Sequence, residues 1–217
     1  MEKLKKDVVL FDLDGTIIDS MDGIINAVRY CFEKTGRQPV EPDEFLPYIG
    51  PPIIGTFQSV YKMTLEEAEK TMEYYHEYYN EKGWKECRLY NGVEELLAVL
   101  KAKGKITGLA TNKPKYYAER ILKDKGIDIY FDYIGGADLK KGITNKALVI
   151  EDCLKELKVN NKDKAVLIGD RRFDTEGAAA AGIESIGVTY GYGSRKELED
   201  FGAVVVVDTA YEAGELF

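Results

Sequence analysis

The apolar residues of this chain fall into short dense runs separated by amphipathic stretches. Lys6-Asp7-Val8-Val9-Leu10-Phe11 ends abruptly in Asp12-Leu13-Asp14-Gly15-Thr16. A continuous, β-branched run that stops at a polar turn reads as a strand buried on both faces. Similar runs recur at Ile106–Ala110, Tyr130–Ile134, Ala165–Ile168, Ser185–Val188 and Val204–Val207. Between them, Gly92–Lys103, Tyr116–Lys125, Ala147–Leu157 and Thr175–Ala181 carry helical patterns. Alternating strand and helix predicts an α/β protein with a Rossmann-like, three-layer parallel sheet covered on both faces.

One stretch breaks the alternation. From about Asp19 to Lys85 no strand pattern is found, and Ile24–Lys34, Pro52–Tyr61 and Leu65–Glu81 read as amphipathic helices. Punctuation at Gly36–Pro42 and Pro47–Pro52 separates them. The expected organisation is a core of residues 1–18 and 86–217, with an all-α domain of residues 19–85 inserted after the first strand. Hinges are expected near Asp19–Asp22 and Gly83–Tyr90.

Composition narrows the class. With 30 Lys+Arg against 38 Asp+Glu the formal net charge is −8, which disfavours binding a nucleic-acid polymer through its phosphates. No apolar run reaches the ~20 residues of a membrane span, and Met1–Asp7 is too short and charged for a signal peptide. Three scattered cysteines suggest reduced thiols and a cytoplasmic protein; a monomer or a weak homodimer is expected. A single histidine, His76, rules out a His-rich metal centre and counts against a Ser-His-Asp triad.

Carboxylates and lysines remain, and in open parallel sheets they act at the carboxyl ends of strands. There the first strand delivers Asp12 and Asp14, the second Thr111 and Asn112, and a later one Asp170 and Asp174. Four converging carboxylates require a cation, and hard oxygen ligands without His or Cys point to Mg²⁺. The set suits phosphoryl transfer. One aspartate would attack phosphorus and a second would manage the proton, while Thr111, Asn112 and nearby backbone N–H groups would hold phosphate oxygens. A cation near the phosphate could be Lys113, Lys140, Lys141 or Lys146. Lys146 is favoured because it falls in the first turn of a helix, where the dipole disfavours a cation unless an anion lies opposite.

The stretch from Phe11 to Ser20 resembles the first motif of the haloacid dehalogenase-like hydrolase superfamily. Thr111-Asn112-Lys113, Lys146, and Gly169-Asp170 with Asp174 resemble its second, third and fourth motifs, in the expected order. The resemblance implies Asp12 as nucleophile and Asp14 as acid/base, with Thr111 and Lys146 holding phosphate. It further implies Mg²⁺ bound by Asp12, the Asp14 carbonyl and Asp170, with Asp174 acting through water or Lys146. Both aspartates of the first motif are present, unlike in dehalogenase- or phosphonatase-like members. The segment after it lacks the histidine usual in β-phosphoglucomutase-like members. The inserted block, with Tyr48–Ile54, resembles the four-helix cap of the phosphoglycolate-phosphatase-like subgroup. The expected activity is Mg²⁺-dependent hydrolysis of a small-molecule phosphate monoester. A 5′-nucleotidase-like enzyme and a catalytically silent regulatory domain are the alternatives.

Overall fold

The computed structural model describes residues 3–38, 49–50 and 53–217. The chain divides into two compact units, Met1–Ile18 with Leu89–Phe217, and Asp19–Arg88. It opens with β1 (Val8–Phe11), turns at Asp12–Ile17, and forms β2 (Ile18–Asp19), which pairs with β3 (Arg88–Leu89) where the chain returns. The two covalent crossings between units therefore lie side by side in a short ribbon. Two residues per strand are too few to produce a readable pattern in the sequence.

The inserted unit contains α1 (Met21–Thr35), α2 (Ile53–Ser59), α3 (Leu65–Glu81) and a 3₁₀ turn at Gly83–Lys85. Three α-helices are thus present among its described residues. Residues 39–48 and the Pro51-Pro52 pair, which include three of the seven residues of the Tyr48–Ile54 loop, lie outside the described residues. Helix α1 ends at Gly36 in the left-handed conformation, and Thr64 with Glu67 closes a capping box on α3. The tyrosines of α3 are mainly packing residues: Tyr75 and Tyr79 are buried and stacked, and Tyr78 lies against Tyr30. His76 is exposed.

After the ribbon come α4 (Val93–Ala102), β4 (Ile106–Pro114), α5 (Lys115–Asp124), β5 (Tyr133–Ala137), α6 (Lys146–Glu156), β6 (Ala165–Gly169), α7 (Arg172–Ala181), β7 (Glu184–Val188), α8 (Arg195–Asp200), β8 (Val205–Val207) and α9 (Ala210–Glu215). Six strands form one parallel sheet in the order β5-β4-β1-β6-β7-β8. This is the Rossmann-like α/β core. All four residues of β1 are buried, as they must be in a central strand covered on both faces. Val8 and Leu10 join Val149, Ile150, Cys153 and Leu154 of α6 and Ala178 and Ala181 of α7 in one core. Val9 and Phe11 point the opposite way by strand alternation and are fully buried too.

Two elements differ from the sequence reading. The third strand begins at Tyr133, because Asp128–Tyr130 forms a 3₁₀ turn, and it continues through Gly135-Gly136 to Ala137. A Cβ on Gly135 would overlap Cys153 Sγ, and one on Gly136 would lie 2.7 Å from Lys115 Cα. Those glycines admit close helix packing and hide the strand from a pattern of side chains. Strand β4 extends past Ala110 to Pro114, so Thr111 and Asn112 belong to its carboxyl-terminal half. No helix among the described residues is long and apolar enough to cross a membrane.

Candidate active site

The register of the central strands assembles the site. Phe11 pairs with Ile168, and the Asp12 amide still donates to the Ile168 carbonyl at 2.9 Å. Asp12 and Asp170 therefore leave the sheet as neighbours, at the point where strands diverge to either side of β1. Beyond Asp12 the chain turns sharply, with the Leu13 carbonyl accepting from the amides of Thr16, Ile17 and Ile18. Gly15 takes φ 87° in that turn. A Cβ there would overlap the Asp170 carboxylate, so glycine is required by conformation and by space alike.

Lys146 is the first residue of α6, whose N-terminus is capped by the Asn145 side chain accepting from the Leu148 amide. Its stem is buried, with Gly177 of α7 leaving the room it occupies. Its ammonium lies 2.7 Å from both Asp12 Oδ1 and Asp174 Oδ1, and donates to the Ala110 carbonyl at 3.0 Å. Two buried carboxylates supply the anions that a cation at this helix start requires, and they hold the lysine firmly protonated against the cost of its burial. Lys140 and Lys141 are exposed, in a 3₁₀ turn at Leu139–Lys141.

Asp174 is fixed by a second contact, its Oδ2 accepting from the Arg171 amide at 3.0 Å. Gly169 makes this possible, because a side chain there would overlap Asp174. Asp170 accepts from Thr16 Oγ1 at 3.3 Å and from the Tyr192 amide at 2.8 Å. Ligand oxygens of Asp12, Asp170 and Asp174 all lie within 4.8 Å of one another, and all three residues are buried. Burial pushes the Asp12 carboxyl up to about 6, with the Lys146 ammonium opposing and Asp174 adding to the rise. Asp170 is pushed up strongly by burial and then by repulsion from Asp174 and Asp12.

Asp14 does not join that trio. Its carboxylate turns to Lys113, whose ammonium meets both oxygens at 2.9 Å in a pair with side chains 7% and 13% exposed. Asp12, Asp14 and Asp174 thus pair with two ammoniums, and Asp170 is the fourth carboxylate of the cluster. Two negative charges remain, which one divalent cation would balance. Asp12 Oδ1 and Asp174 Oδ1 meet Lys146 at ion-pair distance yet lack a well-directed hydrogen-bond donor. Buried hard oxygens with spare lone pairs and excess negative charge fit Mg²⁺.

Thr111 is buried, with Oγ1 accepting from the Lys113 amide, and the buried Asn112 Oδ1 has no hydrogen-bond partner among the described residues. The segment Tyr190–Gly193 was not singled out from sequence. The spacing of its tyrosines and glycines just past a buried strand was the available signal. Its backbone packs directly on Asp170.

The haloacid dehalogenase-like hydrolase family model matches residues 9–188. Among curated relatives, the tyrosine-protein kinase PtkA of Mycobacterium tuberculosis is 34% identical, over 94% of this chain and 69% of that protein. A 5′-nucleotidase of Pseudomonas aeruginosa is 33% identical over 88% and 86%. A phosphoglycolate phosphatase of Colwellia psychrerythraea is 30% identical over 98% and 97%. Among solved structures, a predicted phosphatase from Clostridium acetobutylicum superposes with a TM-score of 0.91 at 37% identity, covering 97% of each chain. The family match runs from β1 through β7, and so takes in every strand end that feeds the acidic cluster. The chain belongs to the haloacid dehalogenase-like hydrolases.

Proposed function

We propose that the protein is a Mg²⁺-dependent phosphatase that cleaves a small phosphate monoester through an aspartyl-phosphate on Asp12. The observation that carries the reading is the buried trio Asp12, Asp170 and Asp174 around Lys146, with a second aspartate two residues from the first. Asp12, Asp170 and the Asp14 carbonyl would hold Mg²⁺, with Asp174 acting through water or Lys146. The ion when bound neutralises charge on the phosphate and on the carboxylate that attacks it.

The remaining chemistry belongs to the chain. An Asp12 oxygen attacks phosphorus and the bond to the alkoxy oxygen breaks. Asp14, protonated for this step, gives its proton to the departing oxygen. Water then attacks phosphorus, Asp14 takes its proton, and the Asp12 carboxylate leaves. The products are an alcohol and inorganic phosphate. Thr111 and Asn112 at the end of β4 would bind phosphate oxygens, together with Lys146. The Lys113 pair keeps Asp14 in place between turnovers.

The inserted unit is assigned the selection of the leaving group. A phosphoglycolate-like acid is the leading substrate class, supported by the 30% identity to a phosphoglycolate phosphatase along nearly the whole chain. A nucleoside monophosphate is second, supported by the similarity to the 5′-nucleotidase. The three cysteines Cys31, Cys87 and Cys153, widely separated in sequence, fit a reducing compartment such as the cytoplasm.

The test begins with p-nitrophenyl phosphate. Turnover is expected with Mg²⁺, to be lost in EDTA and restored by excess Mg²⁺. No turnover with Mg²⁺ would leave the chain a silent member of its family. A panel of phosphoglycolate, nucleoside monophosphates and sugar phosphates then ranks kcat/KM, and a clear nucleotide preference would displace the leading substrate class.

A further inference from the structure

The loop after β7 does more than connect it to α8. The Tyr192 amide donates to Asp170 Oδ2 at 2.8 Å, and the Tyr190 hydroxyl donates to the Thr16 carbonyl at 2.9 Å. Thr16 in turn donates its Oγ1 to Asp170 Oδ1 at 3.3 Å. Both oxygens of a fully buried carboxylate are thereby tied to two loops, and the loops are tied to each other. The glycines between the tyrosines bring the backbones together. A Cβ on Gly191 would overlap the Gly15 carbonyl and stand 2.5 Å from Asp170 Cβ, and one on Gly193 would overlap the Asp170 carbonyl. Tyr190 is itself held, its ring 5.1 Å from that of Tyr90 just past β3.

We infer that Tyr190-Gly191-Tyr192-Gly193 is a strap that sets the orientation of Asp170, and through it the affinity of the site for its divalent cation. The inference rests on the metal-site reading proposed above. These are positioning residues: none touches the reacting atoms, and they act through Asp170 and Thr16. A ligating carboxylate needs outer hydrogen bonds to fix it, and loss of such a partner commonly weakens metal binding 10–100-fold. Asp170 has strong reason to need them. It is buried beside two other carboxylates, which repel it and would favour its swinging away. The strap blocks that movement with backbone, which cannot rotate aside as a side chain would.

Mn²⁺ is the probe, its free fraction counted by electron paramagnetic resonance in the presence of the full-length protein. Gly191→Ala is expected to weaken Mn²⁺ binding by about 10–100-fold while keeping a cooperative melt. Its phosphatase activity should recover toward the wild-type kcat as Mg²⁺ is raised, which a general packing defect would not allow. Tyr190→Phe, which removes one hydroxyl and no backbone, should weaken binding about threefold, the worth of one net hydrogen bond. A folded Gly191→Ala that binds Mn²⁺ within twofold of wild type overturns the strap, as does activity that saturating Mg²⁺ leaves unrestored. If Gly191→Ala does not fold, unchanged Mn²⁺ affinity in Tyr190→Phe overturns it. Wild type without Mn²⁺ binding removes the metal site and the strap together, whereas wild type that binds Mn²⁺ but hydrolyses nothing removes only the phosphatase reading.

Discussion

Asp12→Asn is expected to abolish turnover while making the metal-free protein more stable at neutral pH. The amide cannot form an acyl phosphate, so activity should fall by about 10⁴-fold or more, in line with removal of other covalent nucleophiles. The stability change has the opposite sign because the wild-type carboxylate is unhappy where it sits. Burial raises its pKa from 3.8 to about 6 in the folded chain, Lys146 notwithstanding. The native state therefore binds more protons than the unfolded state between pH 4 and 6. Stability contributed by this group is present below that window and lost as pH rises through it. At pH 7 the charged form costs on the order of 3 kcal/mol, and asparagine, nearly the same shape, avoids that cost. Thermal melts of the two proteins without metal should differ by several degrees at pH 7, and the gap should close as pH approaches 4. Added Mg²⁺ should raise the melting temperature of the wild type and do little for the variant. Turnover of p-nitrophenyl phosphate at a tenth of the wild-type rate would take Asp12 out of the nucleophile's position.

Such a prediction is possible because the strand ends are legible in the sequence itself. β1 and β6 announce themselves as unbroken apolar runs that stop at an aspartate, since central strands must be apolar on both faces and chemistry must begin where they leave the sheet. Lys146 was legible for an electrostatic reason: a cation beginning a helix implies an anion opposite, and two are there. What stayed hidden was whatever depends on one backbone approaching another. Gly15, Gly169 and Gly177 each make room for Asp170, Asp174 or Lys146, but an absent side chain reveals its use only once its neighbour is placed. The Asp14–Lys113 pair spans 99 positions and is set by where β4 ends, which the sequence placed too early. The six-residue helices α8 and α9 are too short to display a helical period. Tyr190–Gly193 carries no signal of its role by itself because its partner, Asp170, is supplied by a different strand.

Lys146→Met is expected to be the more damaging change to stability, since it removes charge compensation as well as the proposed phosphate contact. Its ammonium sits between Asp12 and Asp174 in a space with almost no water, all three side chains being less than 10% exposed. Deleting one partner of a buried ion pair typically costs about 3–5 kcal/mol, because the anions left behind are neither hydrated nor paired. Lys146 keeps its charge throughout the neutral range, its pKa being held above the ordinary lysine value. Its own titration therefore adds no slope to wild-type stability between pH 5 and 8. In the variant the carboxylates must respond instead. The deficit should be largest at pH 7.5 without metal, shrink toward pH 5 as Asp12 takes up a proton, and shrink again when Mg²⁺ supplies the missing positive charge. Activity at saturating Mg²⁺ should still be down by about 10³-fold, the scale of losing a preorganised charge at a transition state. Arginine should not rescue it, because a planar guanidinium cannot reproduce a single nitrogen that meets Asp12 Oδ1 and Asp174 Oδ1 at 2.7 Å and the Ala110 carbonyl at 3.0 Å. Urea unfolding at both pH values, with and without Mg²⁺, separates the two roles. A deficit identical in all four conditions would make Lys146 a packing residue whose charge is incidental, and would leave the site's excess negative charge without its internal counter-ion.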